Sequence, residues 1–295
     1  MEQATGYRIL DGRRTSEAVR AKIRTEVEQV KKRIGRVPHL AAVLVGDDPA
    51  SRTYVQNKVR ACASVGFKSS LIELAATVPE MELLERVAAL NADPDLDGFI
   101  VQLPLPAHID ADRITLAIDP NKDVDGFHPV NLGRMMLGLQ TMLPATPSGI
   151  LELLRHHGIA TGGRHCVVVG RSNIVGRPMS VLMGRNDDPG NCTVTLAHSR
   201  TKDLTAITLQ ADILIVAIGR PEFIKSHMVK EGAVVVDVGI HRVTDASRES
   251  GSRLVGDVDF DGVAPKCAWI TPVPGGVGPM TIAALLKNTM AACAR

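Results

Sequence analysis

The chain has 295 residues, enough for two domains, and its 45% hydrophobic and 22% charged residues are typical of a globular protein. The net charge of +2 gives no reason to expect nucleic acid or a membrane as a partner. Five scattered cysteines without a CxxC pair argue against a disulfide framework or a zinc site and favour a reducing cytosol. No apolar segment is typical of a signal peptide or of a membrane span.

Strand-like and helix-like segments alternate through the first hundred residues. The predicted order is strand 40–45, helix 49–65, strand 69–74, helix 79–91 and strand 98–102. This βαβαβ order predicts a parallel sheet with helices on both faces. The pattern becomes rich in loops between residues 119 and 147.

A second alternating block begins at Thr146 and Pro147, which are typical of the start of a helix that is predicted to end near His157. The last helix, from Met280 to about Ala294, is expected to return to the first domain. Further strands are predicted at 165–169, 193–197, 212–217 and 233–238. Segments 184–190 and 245–253 carry no motif and are predicted to be surface loops.

These elements predict an α/β protein of two domains. Residues 1–146 with 274–295 are predicted to form an N-terminal three-layer α/β domain completed by the C-terminal helix. Residues 147–273 are predicted to form a Rossmann-type domain with a parallel sheet.

The turn from Gly170 to Gly176 follows a predicted strand and opens a predicted helix. Its pattern, Gly170-x-Ser172-x-x-x-Gly176, departs from the usual G-x-G-x-x-G. Free N–H groups at a helix N-terminus, with glycines that allow close approach, predict a dinucleotide phosphate site. A tight strand–helix turn without a ligand is the alternative.

The segment 197–201 follows the next strand and lacks the carboxylate that NAD enzymes usually place there. Arg200 and Arg171 can both face a 2′-phosphate, since a guanidinium suits phosphate oxygens, so NADP is predicted over NAD. A solvated surface arginine is the alternative for Arg200. Gly219 and Ile240 follow the next two strands and are predicted to line the cofactor site.

Tyr54 and Lys58 are four residues apart on a predicted helix, so they share one face. Gln102 ends the third strand at the same carboxyl edge. A lysine in a partly apolar pocket can transfer protons near neutral pH, and a glutamine can orient it without neutralising it. The alternative is an exposed helix lysine beside a half-buried packing tyrosine, and the spacing alone favours it.

Two loops complete the candidate site. In the segment 121–129, one aspartate can accept hydrogen bonds from an amino-pyrimidine edge, although a capped turn is the usual role of Asp-Gly. The Asp-x-Asp-Gly pattern there lacks the later ligands of a calcium loop, and no metal site is predicted. The segment 272–281, rich in proline and glycine, opens the last helix and is expected to wall a pocket.

Together the motifs closely resemble those of the bifunctional methylenetetrahydrofolate dehydrogenase/methenyltetrahydrofolate cyclohydrolase family. They occur in the order Tyr54-x-x-x-Lys58, 97–106 (DGFIVQLPLP), 122–126 (KDVDG), 170–178 (GRSNIVGRP) and 272–281 (PVPGGVGPMT). The resemblance covers nearly the whole chain, and the joint set of motifs is highly specific.

The resemblance implies an enzyme of one-carbon metabolism. It oxidises 5,10-methylenetetrahydrofolate with NADP to the 5,10-methenyl form, and then hydrolyses that product to 10-formyltetrahydrofolate in one shared cleft. The resemblance also implies a cytoplasmic homodimer that is joined through its nucleotide domains. Two alternatives are a dehydrogenase that has lost the hydrolytic step, disfavoured by Lys58 and Gln102, and a nucleotide sensor without turnover.

The resemblance also assigns site residues. Lys58 is implied as the key residue of hydrolysis, held and tuned by Gln102, while Tyr54 stacks on the folate and Asp125 anchors the pterin. Whether Lys58 acts as a neutral amine or as a charged donor stays open. Further folate contacts are expected at Pro272, Gly275 and Gly276, and cofactor contacts at Gly170, Arg171, Ser172, Ile174, Ser199, Arg200, Gly219, Ile240 and Thr281.

Overall fold

The computed structural model describes residues 6–248 and 251–294. The strands are β1 (Arg8–Ile9), β2 (His39–Val45), β3 (Lys68–Leu74), β4 (Gly98–Val101), β5 (His165–Val169), β6 (Thr193–Ala197), β7 (Ile213–Val216), β8 (Val234–Asp237), β9 (His241–Thr244), β10 (Ser252–Val255) and β11 (Trp269–Ile270). The helices are α1 (Gly12–Ile34), α2 (Pro49–Val65), α3 (Glu80–Ala92), α4 (Ala111–Ala117), α5 (Pro129–Met136), α6 (Ala145–His156), α7 (Gly176–Gly184), α8 (Leu204–Thr208), α9 (Phe260–Val263) and α10 (Val277–Cys293).

The described residues divide into two compact units, each named here after its main sheet. The three-stranded unit comprises residues 17–145 and 282–294, and the six-stranded unit comprises residues 6–16 and 146–281. The division differs from the predicted domains at residues 6–16, 146 and 274–281. The reason is pairing within the six-stranded unit, where β1 lies parallel to β11 and the Arg13 N–H donates to the Gly275 carbonyl at 3.1 Å.

The functional assignment of the two predicted domains stays a prediction. Residues 1–5, 249–250 and 295 of the predicted ranges lie outside the described part of the chain. Within that part, no helix is both long and apolar enough to cross a membrane.

The three-stranded unit is built on a parallel sheet of order β3-β2-β4. Its central strand β2 is buried at every residue, as expected for a strand covered on both faces. Helix α2 begins where the Asp48 carboxyl accepts the Ser51 N–H at 2.7 Å, and it ends at Gly66, whose φ of 81° suits glycine. The predicted βαβαβ order is therefore confirmed.

The last helix returns to this unit, as expected. The Asn288 amide on α10 donates to the Val124 carbonyl at 2.8 Å and to the Leu143 carbonyl at 2.9 Å. The three-layer α/β arrangement is thus completed by the C-terminal helix.

The six-stranded unit has the strand order β1-β11-β8-β7-β5-β6, with every neighbouring pair parallel. Val167, Leu214 and Val235 lie fully buried in its core, and continuous apolar runs of this kind are typical of parallel strands. This architecture agrees with the predicted Rossmann-type domain. An antiparallel hairpin of β9 and β10 follows β8.

Several elements are absent from the predicted order, among them α1, α5 and the hairpin. Helix α1 buries Val19, Ile23 and Val27 at a spacing of four residues. Helix α5 begins with a histidine cap, because the Val130 N–H donates to His128 Nδ1 at 3.1 Å. The predicted loop 245–253 includes the start of β10, and its residues 249 and 250 lie outside the described part.

Candidate active site

Lys58 and Gln102 are brought together at the carboxyl edge of the three-stranded sheet. Lys58 Nζ lies 3.1 Å from Gln102 Oε1, and both residues are half-buried. The Gln102 amide Nε2 donates to the Leu103 carbonyl at 2.6 Å, which turns Oε1 towards the lysine. The Gln102 N–H donates to the Val43 carbonyl at 2.9 Å, so the neighbouring strand β2 fixes the glutamine backbone. This geometry leaves the amine accessible and held by a neutral acceptor.

Tyr54 lies one helical turn before Lys58 on α2 and is 39% exposed. Partial burial raises the pKa of its phenol above the ordinary value. The ring therefore presents an open aromatic face with a neutral hydroxyl, a combination that suits stacking against a planar ligand.

Asp125 lies in the loop between α4 and α5. Burial raises the pKa of its carboxyl above the ordinary value, with Lys58 opposing the shift and Asp123 adding to it. Among the described residues, no hydrogen bond or ion pair reaches the Asp125 carboxyl oxygens. A desolvated carboxyl without such a partner can accept hydrogen bonds from a ligand.

Asp123 shapes this loop and is a site residue that the sequence did not single out. Its Oδ1 accepts the Gly126 N–H at 3.0 Å, and its Oδ2 accepts the His128 N–H at 2.8 Å and the Asn131 amide at 2.9 Å. Asn288, described above, holds the same loop from α10. The Asp-x-Asp-Gly pattern is the local signal by which Asp123 could have been found, whereas the distant Asn288 has no such signal.

The predicted phosphate turn joins β5 to α7 in the six-stranded unit. Gly170 has a φ of 127°, and a Cβ atom there would overlap the Ala217 carbonyl, while one on Gly176 would overlap the Gly170 carbonyl. The Ser172 hydroxyl accepts the N–H groups of Val175 and Gly176 at 3.2 and 3.3 Å. Serine at the second motif position therefore binds the backbone just before and at the first residue of α7, a contact that glycine could not make.

The residues that flank this turn are open to solvent. Arg171 is exposed, and Ile174 is 43% exposed. After β7, Gly219 has a φ of 69° and no heavy atom within 4 Å of a Cβ position, and Ile240 after β8 is 46% exposed. These four residues are thus accessible to a ligand at the carboxyl edge of the sheet, where nucleotides bind in such folds.

The segment after β6 forms a tight turn that presents Ser199 and Arg200 to solvent. The Thr201 N–H donates to the His198 carbonyl at 2.8 Å, and the Arg200 N–H donates to His198 Nδ1 at 3.1 Å. No described residue forms an ion pair with the Arg200 guanidinium. That guanidinium is therefore available to an anionic group.

The proline-glycine loop before α10 is tied to the start of the chain within the six-stranded unit. The Gly276 N–H donates to the Pro272 carbonyl at 2.8 Å, and Gly275 has a φ of 115°. The Thr281 hydroxyl lies 3.0 Å from that of Thr146. The roles predicted for Pro272, Gly275, Gly276 and Thr281 stay predictions.

A cavity of about 290 Å³ lies elsewhere in the six-stranded unit. It opens at the amino ends of the strands, and Arg8, Arg164, Lys230 and Trp269 are among its lining residues. None of the predicted site residues lines it. Because ligands of parallel sheets bind at the carboxyl ends, this cavity is not the candidate active site.

Comparisons with known proteins agree with the motifs. A family model described as the catalytic domain of tetrahydrofolate dehydrogenase/cyclohydrolase matches residues 10–125, and one described as its NAD(P)-binding domain matches residues 144–295. The chain belongs to the tetrahydrofolate dehydrogenase/cyclohydrolase family. Within this family, it is 64% identical to the bifunctional protein FolD of Cytophaga hutchinsonii, over 97% of this chain and 99% of that protein.

Solved structures of the tetrahydrofolate dehydrogenase/cyclohydrolase family superpose over nearly the whole chain. FolD from Campylobacter jejuni is 46% identical, with a TM-score of 0.91 and coverage of 97% of this chain and 98% of the other. The enzyme from Trypanosoma brucei, solved with NADP and an inhibitor, is 39% identical, with a TM-score of 0.92 and 98% coverage of both chains. The family's catalytic-domain match contains Tyr54, Lys58, Gln102 and Asp125, and its nucleotide-domain match contains the turn from Gly170 to Gly176.

Proposed function

We propose that this protein oxidises 5,10-methylenetetrahydrofolate with NADP and hydrolyses the resulting 5,10-methenyltetrahydrofolate to 10-formyltetrahydrofolate. The observation that carries the proposal is the contact of Lys58 with Gln102, which provides a held amine for the hydrolytic step. The family membership and the bifunctional name of the relative that is 64% identical support both activities.

Hydrolysis of a methenyl bridge depends on proton transfers. The bridge needs little activation as an electrophile, because it is already a cation. Water adds to the bridge carbon and loses one proton, which leaves a hydroxyl on that carbon. The bond from the carbon to N5 then breaks as N5 takes up a proton and the hydroxyl loses its proton to become the formyl carbonyl. The formyl group stays on N10, and one proton is released overall. Lys58 is the group that would handle these protons, and Gln102 keeps its amine oriented without neutralising it.

Two residues of the three-stranded unit would hold the folate. The open face of Tyr54 suits stacking on a flat ring, and the unbonded carboxyl of Asp125 suits the N–H groups of an amino-pyrimidine edge. Alignment of the reacting carbon is the protein's main contribution to hydride transfer.

The six-stranded unit fits NADP. When bound, NADP accepts the hydride that leaves the methylene carbon. Gly170 and Gly176 allow the tight turn between β5 and α7, which is where a pyrophosphate binds in such folds, and the exposed Arg200 and Arg171 suit a 2′-phosphate. Ser172, Ile174, Ser199, Gly219, Ile240 and Thr281 are the further residues proposed to contact the cofactor.

A coupled assay tests the two activities. Purified protein should form the methenyl product from 5,10-methylenetetrahydrofolate and NADP, followed by absorbance, and should hydrolyse added methenyltetrahydrofolate. Lys58→Met is expected to abolish hydrolysis, because the methionine has no amine. Retention of hydrolysis in Lys58→Met would remove Lys58 from the mechanism, and wild-type protein that oxidises but does not hydrolyse would be a dehydrogenase only.

Cofactor choice has its own test. Arg200→Ala is expected to weaken NADP by about 1.5–3 kcal/mol, the range for hydrogen bonds to charged groups, and to leave NAD unaffected. Steady-state KM values for the two nucleotides give the answer. An unchanged NADP/NAD preference would show that Arg200 does not contact the 2′-phosphate.

We further propose a cytoplasmic homodimer joined through the nucleotide unit. Strand β6 is an outer strand of the six-stranded sheet, and its Leu196 is 37% exposed, so a second copy can cover this edge. All five cysteines are free and buried, in keeping with a reducing compartment. Light scattering should give twice the chain mass of 31.5 kDa, and a monomer at micromolar concentration would contradict the dimer.

A further inference from the structure

A buried aspartate outside the predicted site gathers the backbone at the carboxyl end of β7. Asp257 is fully buried. Its Oδ2 accepts the N–H groups of Ile218 and Gly219 at 2.7 and 3.0 Å, and its Oδ1 accepts the Arg220 N–H at 2.9 Å. Three consecutive N–H groups therefore converge on one carboxyl, which fixes the conformation of this segment.

The same carboxyl holds the start of the hairpin. His241 Nε2 lies 2.7 Å from Asp257 Oδ1. His241 directly follows Ile240, and Gly219 lies in the middle of the segment bonded to Asp257. One side chain thus connects the two residues that are predicted to line the cofactor site after β7 and β8.

Asp257 is itself held by a second buried aspartate, Asp237, at the end of β8. The Asp237 carboxyl accepts the N–H groups of Asp257, Val258 and Gly239, each at 2.9 Å. Burial raises the pKa of Asp237 to about 7, with these backbone bonds opposing the shift and Asp257 adding to it. A Cβ atom on Gly256 would overlap Asp237 Oδ2, so the two aspartates are fixed by close packing.

These contacts reach the phosphate turn. Gly170, the first residue of that turn, packs so tightly on the Ala217 carbonyl that a Cβ atom would overlap it. Ala217 is followed directly by the segment from Ile218 to Arg220. The contacts therefore run without a break from the end of β5, through the end of β7, to the end of β8.

We propose that Asp257 is a positioning residue for the nicotinamide nucleotide. It holds the backbone from Ile218 to Arg220 and the His241 ring, and so sets the positions of Gly219 and Ile240 without meeting the nucleotide itself. The identity of the nucleotide rests on the proposed function, whereas the positioning role rests on the contacts of Asp257.

Two substitutions of Asp257 should weaken NADP binding to different extents. In Asp257→Asn the amide oxygen can still serve Ile218 and Gly219, but the amide nitrogen faces the Arg220 N–H and cannot accept it. NADP affinity, measured by calorimetry without folate, should fall about three- to tenfold. Asp257→Ala removes every acceptor and should weaken NADP by at least about tenfold.

A purely structural role would give a different pattern. Hydrolysis of methenyltetrahydrofolate needs no NADP, so Asp257→Asn should keep its hydrolytic rate while its KM for NADP rises. Asp259→Asn is the matched control, because its carboxyl pairs with Lys225 at 3.3 Å near the surface and should leave NADP affinity unchanged. If Asp257→Ala does not fold, His241→Ala tests the fourth contact alone and should weaken NADP severalfold.

Two results would overturn the positioning role. One is unchanged NADP affinity in folded Asp257→Asn, and the other is a parallel loss of NADP affinity and hydrolysis that follows the fall in melting temperature. Failure of the proposed function is seen separately, because wild-type protein would then bind NADP without oxidising the folate. In that case, the calorimetric comparison of the variants still decides the role of Asp257.

Discussion

Each unit places two aspartates beside its candidate site, but the two pairs are bonded differently. In the three-stranded unit, Asp123 accepts two hydrogen bonds from its own loop and one from Asn131 on α5, whereas no described residue donates to the Asp125 carboxyl. In the six-stranded unit, Asp237 and Asp257 each accept three backbone N–H groups. Of the four, only Asp125 has no hydrogen-bond donor to its carboxyl among the described residues.

The difference shows how a carboxyl that is buried, or half-buried like that of Asp125, can serve either structure or binding. A carboxyl that is satisfied by backbone N–H groups fixes a loop and has little left to offer a ligand. A desolvated carboxyl without such donors is costly to bury, and that cost is recovered when a ligand supplies the donors. We infer that the folate is recognised through side chains. The nucleotide is recognised mainly through backbone groups that buried carboxyl groups hold in position.

The largest expected effect is on stability, at Asp123. Asp123→Ala leaves two backbone N–H groups and the Asn131 amide without their acceptor, and we expect the free energy of unfolding to fall by about 3–5 kcal/mol. Urea unfolding measures this loss. If Asp123→Ala is as stable as the wild type but binds folate poorly, Asp123 and not Asp125 is the ligand-binding member of the pair.

Asp125 lies two residues after Asp123, and Asp125→Ala should give the opposite result. The carboxyl makes no hydrogen bond with the described residues, and burial raises its pKa, so its removal should leave the free energy of unfolding unchanged or higher. The KM for the folate should rise by the equivalent of about 1.5–3 kcal/mol. An unchanged KM would mean that the folate does not contact this carboxyl.

The sequence predicted the parts of the fold that carry regular periodicity. Continuous runs such as Val167–Val169 marked the buried strands, and Pro49 marked the start of α2 correctly. Helix α6 begins at Ala145, two residues before the start predicted at Pro147. Helix α5 was missed because a histidine caps it, and histidine is an uncommon cap. Helix α1 had an adequate signal in Val19, Ile23 and Val27, which lie four residues apart.

The residues of the candidate site divide in the same way: those with a local sequence pattern were predicted, and those without one were missed. Lys58 and Gln102 were found because helix spacing and a strand end placed them at one edge, and their contact confirms that placement. Asn288 and Asp257 could not be found from a local pattern. The partners of Asn288 lie 145 and 164 residues away in sequence, and those of Asp257 lie up to 39 residues away. Long-range hydrogen bonds become visible only in the folded chain.

Substitution of Asn288, which bonds the loop that carries Asp125, should have a smaller effect. Asn288→Ala removes two hydrogen bonds to the carbonyls of Val124 and Leu143, and we expect about 1–2 kcal/mol of lost stability. Because Val124 precedes Asp125, the folate KM should also rise severalfold. Thr289→Val is the matched control, since Thr289 bonds only within its own helix, to the Leu285 carbonyl at 2.9 Å, and should not alter the KM.

The smallest expected effect is a pH dependence that belongs to Asp125 alone. Its pKa is raised, so the carboxyl takes up a proton at a higher pH than an ordinary aspartate, and the folate KM of the wild type should rise as the pH falls through that value. The folded state also holds this proton more tightly than the unfolded chain, so the contribution of Asp125 to stability should increase over the same fall in pH. Binding and stability thus change in opposite directions.

In Asp125→Asn, both pH dependences should vanish. Measurements of the folate KM and melting curves across the acid range would show this. A KM that still depends on pH in this variant would assign the titration to another group.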